Sequence, residues 1–261
     1  MKTAVEIYKL LPKTNCGKCG LSSCFGFAAK LASRQASPDE CATMTPEARA
    51  ALRDAGLPGS PGTVYEQVLQ SLQPKIQVLD FRKIASLFGA TLIGPDAIEI
   101  TFLNETYRVT KEKVSDIRGK EPRPWISILI YNHLCMPDPP APANEWITFG
   151  SVPASHAKDK AWAGHVEEVI AKHFAGNIAG LKNACERMGG APTSVPGNHD
   201  VACEFRFFPH YPVLLLFYDA VLEENFPAQC KLLLDKTAPR YLDIESIVVL
   251  GEEFAGRLTA G

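Results

Sequence analysis

Four cysteines near the N-terminus have the spacing of a metal-binding motif. Cys16, Cys19, Cys24 and Cys41 follow the pattern C-x2-C-x4-C-x16-C. A four-cysteine zinc site usually pairs two C-x2-C units, and this stretch contains only one. A cubane iron–sulfur cluster also takes four thiolates, and its larger size suits three close ligands and one distant ligand. The pattern therefore favours a [4Fe-4S] cluster, with a zinc site or four unligated thiols as the alternatives.

The residues between these cysteines predict a winding loop, then a short helix, and then a turn that brings the chain back towards the site. Gly17 and Gly20 allow the backbone to adopt positive φ and bring N–H groups close to cluster sulfurs. Apolar spacing after Cys24 predicts a helix, whose N-terminal dipole would favour an anionic thiolate cluster. Pro38 then ends that helix, so that Cys41 can complete the site. The neighbouring lysines are predicted to be solvated surface, with compensation of the cluster charge as the alternative: Lys13, Lys18 and Lys30.

Composition and charge exclude several classes of partner. The chain has 261 residues and a net charge of −2, and its pI is about 6.3. No basic tail or Lys/Arg stripe appears, which excludes nucleic acid and anionic membranes as expected partners. No apolar run approaches the ~18 residues of a membrane helix. The N-terminus lacks an apolar signal core, so we expect a cytoplasmic protein.

The remaining cysteines are scattered singly along the chain. A reducing compartment favours metal ligation or buried free thiols over disulfides. We expect Cys185, Cys203 and Cys230 to behave as small buried hydrophobic residues. A second cluster that also uses Cys135 is the alternative.

The pattern along the chain predicts an α+β fold in which a small cluster-binding module precedes a larger α+β domain with an antiparallel sheet. We expect the module at residues 1–57, a linker and helix at 58–74, and the α+β domain at 75–261. The turn-rich stretch "LPGSPGT" (57–63) is the predicted hinge. Helices are predicted at 45–56, with Thr45 as the N-cap, and at 64–72, 78–89, 158–176, 177–190 and 240–258. The stretch "PWISILIYNHLC" (124–135) is predicted to be a helix, with a strand as the alternative. A hairpin is predicted at 97–110 and further strands at 145–152, 203–208, 212–219 and 229–235, the last three forming a meander.

The stretch "LLPKTNCGKCGLSSCFGFAAKLA", together with Cys41, resembles a known iron–sulfur domain. That domain stands at the front of the large subunit of the corrinoid iron–sulfur protein, and a similar module occurs in the B subunit of the Rnf electron-transport complex. The resemblance implies that the four cysteines bind one [4Fe-4S] cluster that transfers single electrons. In the corrinoid protein this cluster helps to keep cobalt reduced. The present chain lacks the long barrel and corrinoid-binding segments of that subunit.

Residues 75–258 resemble an uncharacterised bacterial and archaeal domain family whose members often follow this module. The segment "GNHDVACEFRFFPHYPVLLLFYDAVLEENFPAQCKLLLD" carries much of the resemblance. It implies a shared fold and brings no known chemistry. Nicotinamide, ATP and serine-hydrolase chemistries lack support, because the chain has no G-x-G-x-x-G, P-loop or G-x-S-x-G in the required context.

These observations predict an iron–sulfur electron-transfer protein of anaerobic type, with a redox protein as its partner. Whether it is an enzyme is left open. One hypothesis is that the large domain binds a corrinoid (cobalamin) whose cobalt the cluster reduces, with His133, Trp125 and Trp146 as the residues that hold it. The alternatives are a docking protein that passes electrons to a larger enzyme, and a cluster-based redox sensor.

Overall fold

The structure is a computed structural model that describes residues 3–19, 21, 23–32, 36–54 and 61–260. The chain divides into two compact units, Met1–Ser71 and Leu72–Gly261. Part of the predicted hinge, residues 57–60, lies outside the described residues, as does Gly20. The rest of the predicted hinge is not a turn, because Pro61–Thr63 form the start of a helix that runs to Val78. Proline is well tolerated at that position, since the first turn of a helix has no internal partner for its N–H.

The first unit is helical. Its helices are α1 (Ala4–Leu10), α2 (Cys24–Ala32), α3 (Pro46–Asp54) and the first part of α4 (Pro61–Val78), with a 3-10 turn at Pro38–Glu40. The predicted start of α3 is confirmed, because the Thr45 hydroxyl accepts a hydrogen bond from the N–H of Ala48 at 3.2 Å. Apolar side chains from α1, α2 and α3 form a small core: Ile7, Leu11, Phe27, Ala28, Leu31 and Leu52. Cys24 and Cys41 belong to this same core.

The second unit is the predicted α+β domain, and its fold class is confirmed. Its helices are α5 (Phe81–Phe88), α6 (Pro124–Leu134), α7 (Asp159–Trp162), α8 (Glu168–Phe174), α9 (Ile178–Arg187) and α10 (Ile244–Thr259). Its strands are β1 (Thr91–Gly94), β2 (Ala97–Phe102), β3 (Glu105–Thr110), β4 (Val114–Asp116), β5 (Trp146–Ile147), β6 (Ala191–Pro192), β7 (Val201–Phe208), β8 (Tyr211–Tyr218) and β9 (Gln229–Asp235).

The strands form two antiparallel sheets. The first has the order β1-β2-β3-β4, and the second has the order β5-β9-β8-β7-β6. The predicted hairpin is β2–β3, with Asn104 at its turn in the left-handed region (φ 64°). The predicted meander is β7–β8–β9. A hydrogen bond of 3.0 Å from the N–H of Leu103 to the carbonyl of Phe207 joins the two sheets.

Two predicted elements differ from the structure in ways that have a physical cause. The predicted strand 145–152 pairs with β9 only at Trp146 and Ile147. The chain then turns, because the hydroxyls of Thr148 and Ser151 hydrogen-bond at 3.1 Å and the Ser151 N–H bonds the Thr148 carbonyl. The predicted helix 158–176 contains a wide π-helical segment, Ala163–Glu167, between α7 and α8.

The π-helical segment aims a buried carboxylate at the second sheet. Glu167 accepts hydrogen bonds from Lys231 Nζ at 2.8 Å and from the Leu232 N–H at 3.2 Å. Trp162 Nε1 adds a third, weaker contact at 3.4 Å. One extra residue in a helical turn changes which side chains face a neighbour, and here it turns Glu167 towards β9.

Helix α6 confirms the prediction made for "PWISILIYNHLC". It is apolar around most of its circumference, and it is buried on most sides: Ile126, Leu129, Ile130 and Leu134 are buried. A helix that is apolar all round belongs in a core. Within the described part of the chain, no helix combines the length and the apolar character needed to cross a membrane.

Candidate metal centre

The four N-terminal cysteines line one cavity in the first unit. Loop backbone and a threonine complete its wall, and the lining includes Gly17, Lys18, Leu21, Phe27 and Thr43. The thiols differ in their access to solvent, since Cys16 is exposed, Cys19 is half-buried, and Cys24 and Cys41 are buried. The cavity is therefore open to solvent at Cys16, and the core of the unit closes it on the side of Cys24 and Cys41.

The loop before α2 is held in an unusual backbone conformation. Lys13, Asn15 and Gly17 all adopt positive φ (58°, 47° and 71°). Only glycine adopts this region without steric cost, and asparagine tolerates it better than most residues. These turns wind the chain so that Cys16 and Cys19 face the same cavity.

Asn15 and Cys24 clamp this loop to the start of α2. The Cys24 N–H donates to Asn15 Oδ1 at 2.7 Å, and the Asn15 N–H donates to Cys24 Sγ at 3.4 Å. Ser23 caps the helix by accepting from the Gly26 N–H at 3.1 Å. Cys24 is the first residue of α2, as the sequence predicted, so the helix dipole favours a thiolate there.

Cys41 is placed by the short 3-10 turn before it. Ser37 and Glu40 form a capping box, in which the Ser37 N–H donates to Glu40 Oε1 at 2.8 Å. The guanidinium of Arg49 then donates to the Cys41 carbonyl at 2.9 Å. The same Arg49 pairs with Asp39, so helix α3 fixes the returning segment.

Thr43 connects the two ends of the motif. Its hydroxyl lies 3.8 Å from Cys16 Sγ and 3.7 Å from Cys41 Sγ, so the two sulfur atoms are at most 7.5 Å apart. The Lys18 N–H and then the hydroxyls of Thr14 and Thr43 lower the pKa of Cys16 below its usual value. Each of these groups stabilises the thiolate, which is the form that binds a metal.

The donor set of the cavity fits an anionic iron–sulfur cluster. Four thiolates are the ligands that such a cluster takes, and N–H and hydroxyl groups near the sulfurs are typical of its surroundings. Among the described residues, no three His, Cys, Asp or Glu side chains converge closely enough to hold a single metal ion. The four thiols line this one cavity, although no three of them converge at the position of a single ion.

His133 is enclosed within the second unit. It is fully buried. The rings of Phe208 and Tyr241 are stacked against its ring, with centroid distances of 3.9 Å and 5.5 Å. Phe88 contacts the ring edge-on at 4.9 Å, and neither ring nitrogen has a hydrogen-bond partner among the described residues. Burial, with a smaller contribution from His210, lowers the pKa of His133 to about 3. The imidazole is therefore neutral near pH 7.

The two tryptophans named with His133 lie in other surroundings. Trp125 is eight residues before His133 on α6, about 12 Å along the helix. Its Nε1 donates to the buried carboxylate of Glu253 at 2.9 Å, and the guanidinium of Arg123 lies 4.4 Å from its ring centre. Trp146 is half-buried on the edge strand β5.

The other four cysteines are free thiols. Cys185, Cys203 and Cys230 are buried, as predicted for small apolar residues, and Cys135 is half-buried. Burial raises the pKa of the Cys135 thiol.

The chain therefore combines a four-cysteine cavity in its first unit with a separate α+β unit. A family model described as "Putative Fe-S cluster" matches residues 11–42, which contain all four cavity cysteines. A second model, described as "Domain of unknown function (DUF3786)", matches residues 80–257, about two thirds of the chain. The chain belongs to the DUF3786 family. No solved structure matches it significantly.

Curated relatives match mainly the N-terminal part of the chain. The corrinoid/iron-sulfur protein large subunit of Moorella thermoacetica is 52% identical over 56 residues, which are 22% of this chain and 13% of that protein. The acetyl-CoA decarbonylase/synthase complex subunit gamma of Methanocaldococcus jannaschii is 59% identical over 39 residues, or 15% of this chain and 8% of that protein. The same subunit of Archaeoglobus fulgidus is 31% identical over 110 residues, or 41% and 21%. The chain thus spans a small part of these relatives, and the matches support an iron–sulfur cluster in the first unit.

Proposed function

We propose that the first unit binds one [4Fe-4S] cluster through Cys16, Cys19, Cys24 and Cys41, and that the protein passes single electrons through it to a redox partner. The observation that carries this proposal is the single cavity lined by all four thiols. The cysteine spacing, with one C-x2-C unit instead of the two usual in a zinc site, and the match to an iron–sulfur family model favour a cluster over zinc. When bound, such a cluster supplies one-electron transfer.

The residues around the cavity would set the properties of this centre. Asn15 and Ser23 hold the loop and the helix start, while Arg49 and the Ser37 capping box hold Cys41. The Lys18 N–H and the Thr14 and Thr43 hydroxyls stabilise negative charge on Cys16. Hydrogen bonds to the sulfurs and exposure to solvent are the main means by which a protein adjusts a cluster potential.

A redox partner is supported by the matched relatives, which include subunits of an acetyl-CoA decarbonylase/synthase complex. A more specific form of the proposal is that the second unit binds a corrinoid whose cobalt the cluster reduces. It is supported by the name of the Moorella relative and by none of the contacts among the described residues of the second unit. For His133 to bind a corrinoid, one of its ring nitrogens would have to become accessible, and the side chain is fully buried.

The proposal is tested on the full chain purified without air. We expect about four irons and four acid-labile sulfides per chain, and a paramagnetic resonance signal after reduction. One zinc per chain without sulfide, or a spectrum that stays silent after reduction, contradicts the proposal. Titration with cobalamin tests the corrinoid hypothesis separately, because a bound corrinoid changes its own visible spectrum while the iron and sulfide content stays the same.

A further inference from the structure

The charges of the first unit are unevenly distributed along the chain. Residues 7–38 contain five basic residues and no acidic one, although the whole chain has a net charge of −2. This local excess is concealed when only the total charge is considered. The stretch includes the loop and the helix that supply three of the four cavity cysteines.

The acidic residues nearest to this stretch are already engaged. Glu6 accepts from the Thr3 N–H at 2.7 Å, and Glu40 accepts from the Ser37 N–H at 2.8 Å. Asp39 pairs with Arg49 and Arg53. Within the described part of the chain, Lys9 and Lys13 make no ion pair and both are exposed. Their charges therefore face solvent without a counter-ion from the described part of this protein.

Two exposed apolar side chains lie beside these lysines. Val5 is 55% exposed and Phe25 is 49% exposed. The ring of Phe25 meets the ring of Tyr8 edge-on at 5.5 Å, and Lys13 Nζ lies 5.5 Å from the centre of the Tyr8 ring. Val5, Tyr8 and Lys9 share one side of α1, since residues three and four apart on a helix are neighbours. We name this surface, formed by Val5, Tyr8, Lys9, Lys13 and Phe25, the lysine–aromatic face.

The lysine–aromatic face borders the open edge of the cavity. Phe25 directly follows Cys24, and Lys13 precedes the exposed Cys16 by three residues in a loop that is exposed throughout residues 13–18. Surface aromatic residues ringed by charge are typical of interaction sites. Electron-transfer complexes have small interfaces, and opposite charges speed their encounter.

We infer that the lysine–aromatic face is the docking surface for a small acidic electron-carrier protein. This inference rests on the proposed function, since it supplies the partner for the cluster. The positive charge attracts the carrier, and Tyr8 with Phe25 provides the apolar contact beside the exposed Cys16. In the transfer, the carrier loses one electron and the cluster gains it, and no bond is formed or broken.

The test uses a flavodoxin of net negative charge as the probe for the carrier. Binding of the oxidised flavodoxin to the full chain is measured by calorimetry at low and high salt, and cluster reduction by its hydroquinone is followed by stopped-flow absorbance. The charge variant is K9E/K13E, which leaves every residue that lines the cavity in place. The matched control is K160E/K182E, which makes the same change of charge at two exposed lysines of the second unit.

We expect K9E/K13E to weaken binding and slow reduction at low salt by about tenfold or more, with a smaller difference at high salt. Phe25→Ser should weaken binding at both salt concentrations, because an apolar contact is not screened. K160E/K182E should bind flavodoxin and be reduced at rates close to those of the native chain. Equal effects of the two double variants, or native binding that salt does not weaken, would overturn the inference, as would binding to phosphatidylserine vesicles in place of flavodoxin. Calorimetry reports docking whichever metal is present, so a failure of the cluster proposal appears separately in the iron and sulfide content.

Discussion

Asn15 and Cys24 form two reciprocal hydrogen bonds across nine residues of sequence. The side-chain oxygen of Asn15 accepts from the backbone of Cys24, and the backbone of Asn15 donates to the sulfur of Cys24. The first bond fixes the start of α2, and the second stabilises the thiolate. One asparagine thus joins the loop that carries Cys16 and Cys19 to the helix that begins with Cys24.

Replacing Asn15 by glycine should loosen the metal centre without straining the backbone. Glycine accepts the positive φ of this position and removes only the side-chain bond. A hydrogen bond of this kind contributes about 1 kcal/mol, so release of iron to a chelator should be roughly fivefold faster. The control is Asn144→Gly, the same change at another asparagine of positive φ (56°) in the second unit. If both variants release iron at the native rate, the clamp does not support the centre.

Cys24→Ala should remove most of the iron while the second unit stays folded. The side chain is a proposed ligand and also part of the small core of the first unit. Cys135→Ala removes a thiol outside the cavity and should keep the full iron and sulfide content. Iron analysis and circular dichroism measure the two effects. A Cys24→Ala chain that retains four irons would show that the ligand set is wrong.

Glu253→Gln should destabilise the second unit at neutral pH by about 2 kcal/mol, since its buried carboxylate receives charged hydrogen bonds from Arg123 and Arg257. Burial alone would raise the pKa of Glu253. Hydrogen bonds from Trp125 and Arg257, with the charges of Arg257 and Arg123, outweigh burial and hold this pKa below its usual 4.5.

The pH dependence of this effect has a definite sign. A carboxylate whose pKa is lower in the folded chain stabilises the fold above the unfolded pKa, and it loses that contribution as the pH falls through the folded pKa. The gap between the native chain and Glu253→Gln should therefore be constant above pH 4.5 and shrink below it. Urea unfolding at several pH values measures this gap. Glu252→Gln, at the half-buried neighbour on α10 whose partner is the exposed His165, should change stability less, and a gap that widens in acid would contradict the assignment.

Gly251 and Gly256 provide a matched pair on α10. A Cβ at Gly251 would lie 2.5 Å from Trp162, whereas a Cβ at Gly256 would meet nothing within 4 Å. Gly251→Ala should destabilise the second unit by about 1–3 kcal/mol through overpacking. Gly256→Ala should be neutral or stabilising by up to about 1 kcal/mol, because alanine favours the helix. Thermal unfolding compares the two, and similar melting temperatures would show that Trp162 can move aside without cost.

Sequence reasoning succeeded where the signal was local. The cysteine spacing, the cap at Thr45 and the amphipathic pattern of α10 each lie within one segment, and each is present in the structure. The β2–β3 hairpin and the β7–β9 meander were likewise signalled by alternation and turn residues.

What the sequence could not show depends on distant partners. The enclosure of His133 is made by Phe208 and Tyr241, which follow it by more than seventy residues. Thr43 meets Cys16 across 27 residues, and no motif marks a threonine for that position. Strands β1, β4 and β6 are too short to show alternation, and they exist because longer neighbours pair with them.

The widened turn at Ala163–Glu167 constrains how this family can evolve. Each residue of a regular helix advances by about 100°, so deleting one residue there would rotate Glu167 away from β9. Lys231 and the Leu232 N–H would then lose their shared acceptor. We expect homologous chains that keep this glutamate to keep the segment length as well. Chains with a shorter segment would need a different residue to accept the hydrogen bonds from β9. Segment length at this turn is thus a character by which lineages of the family can be sorted.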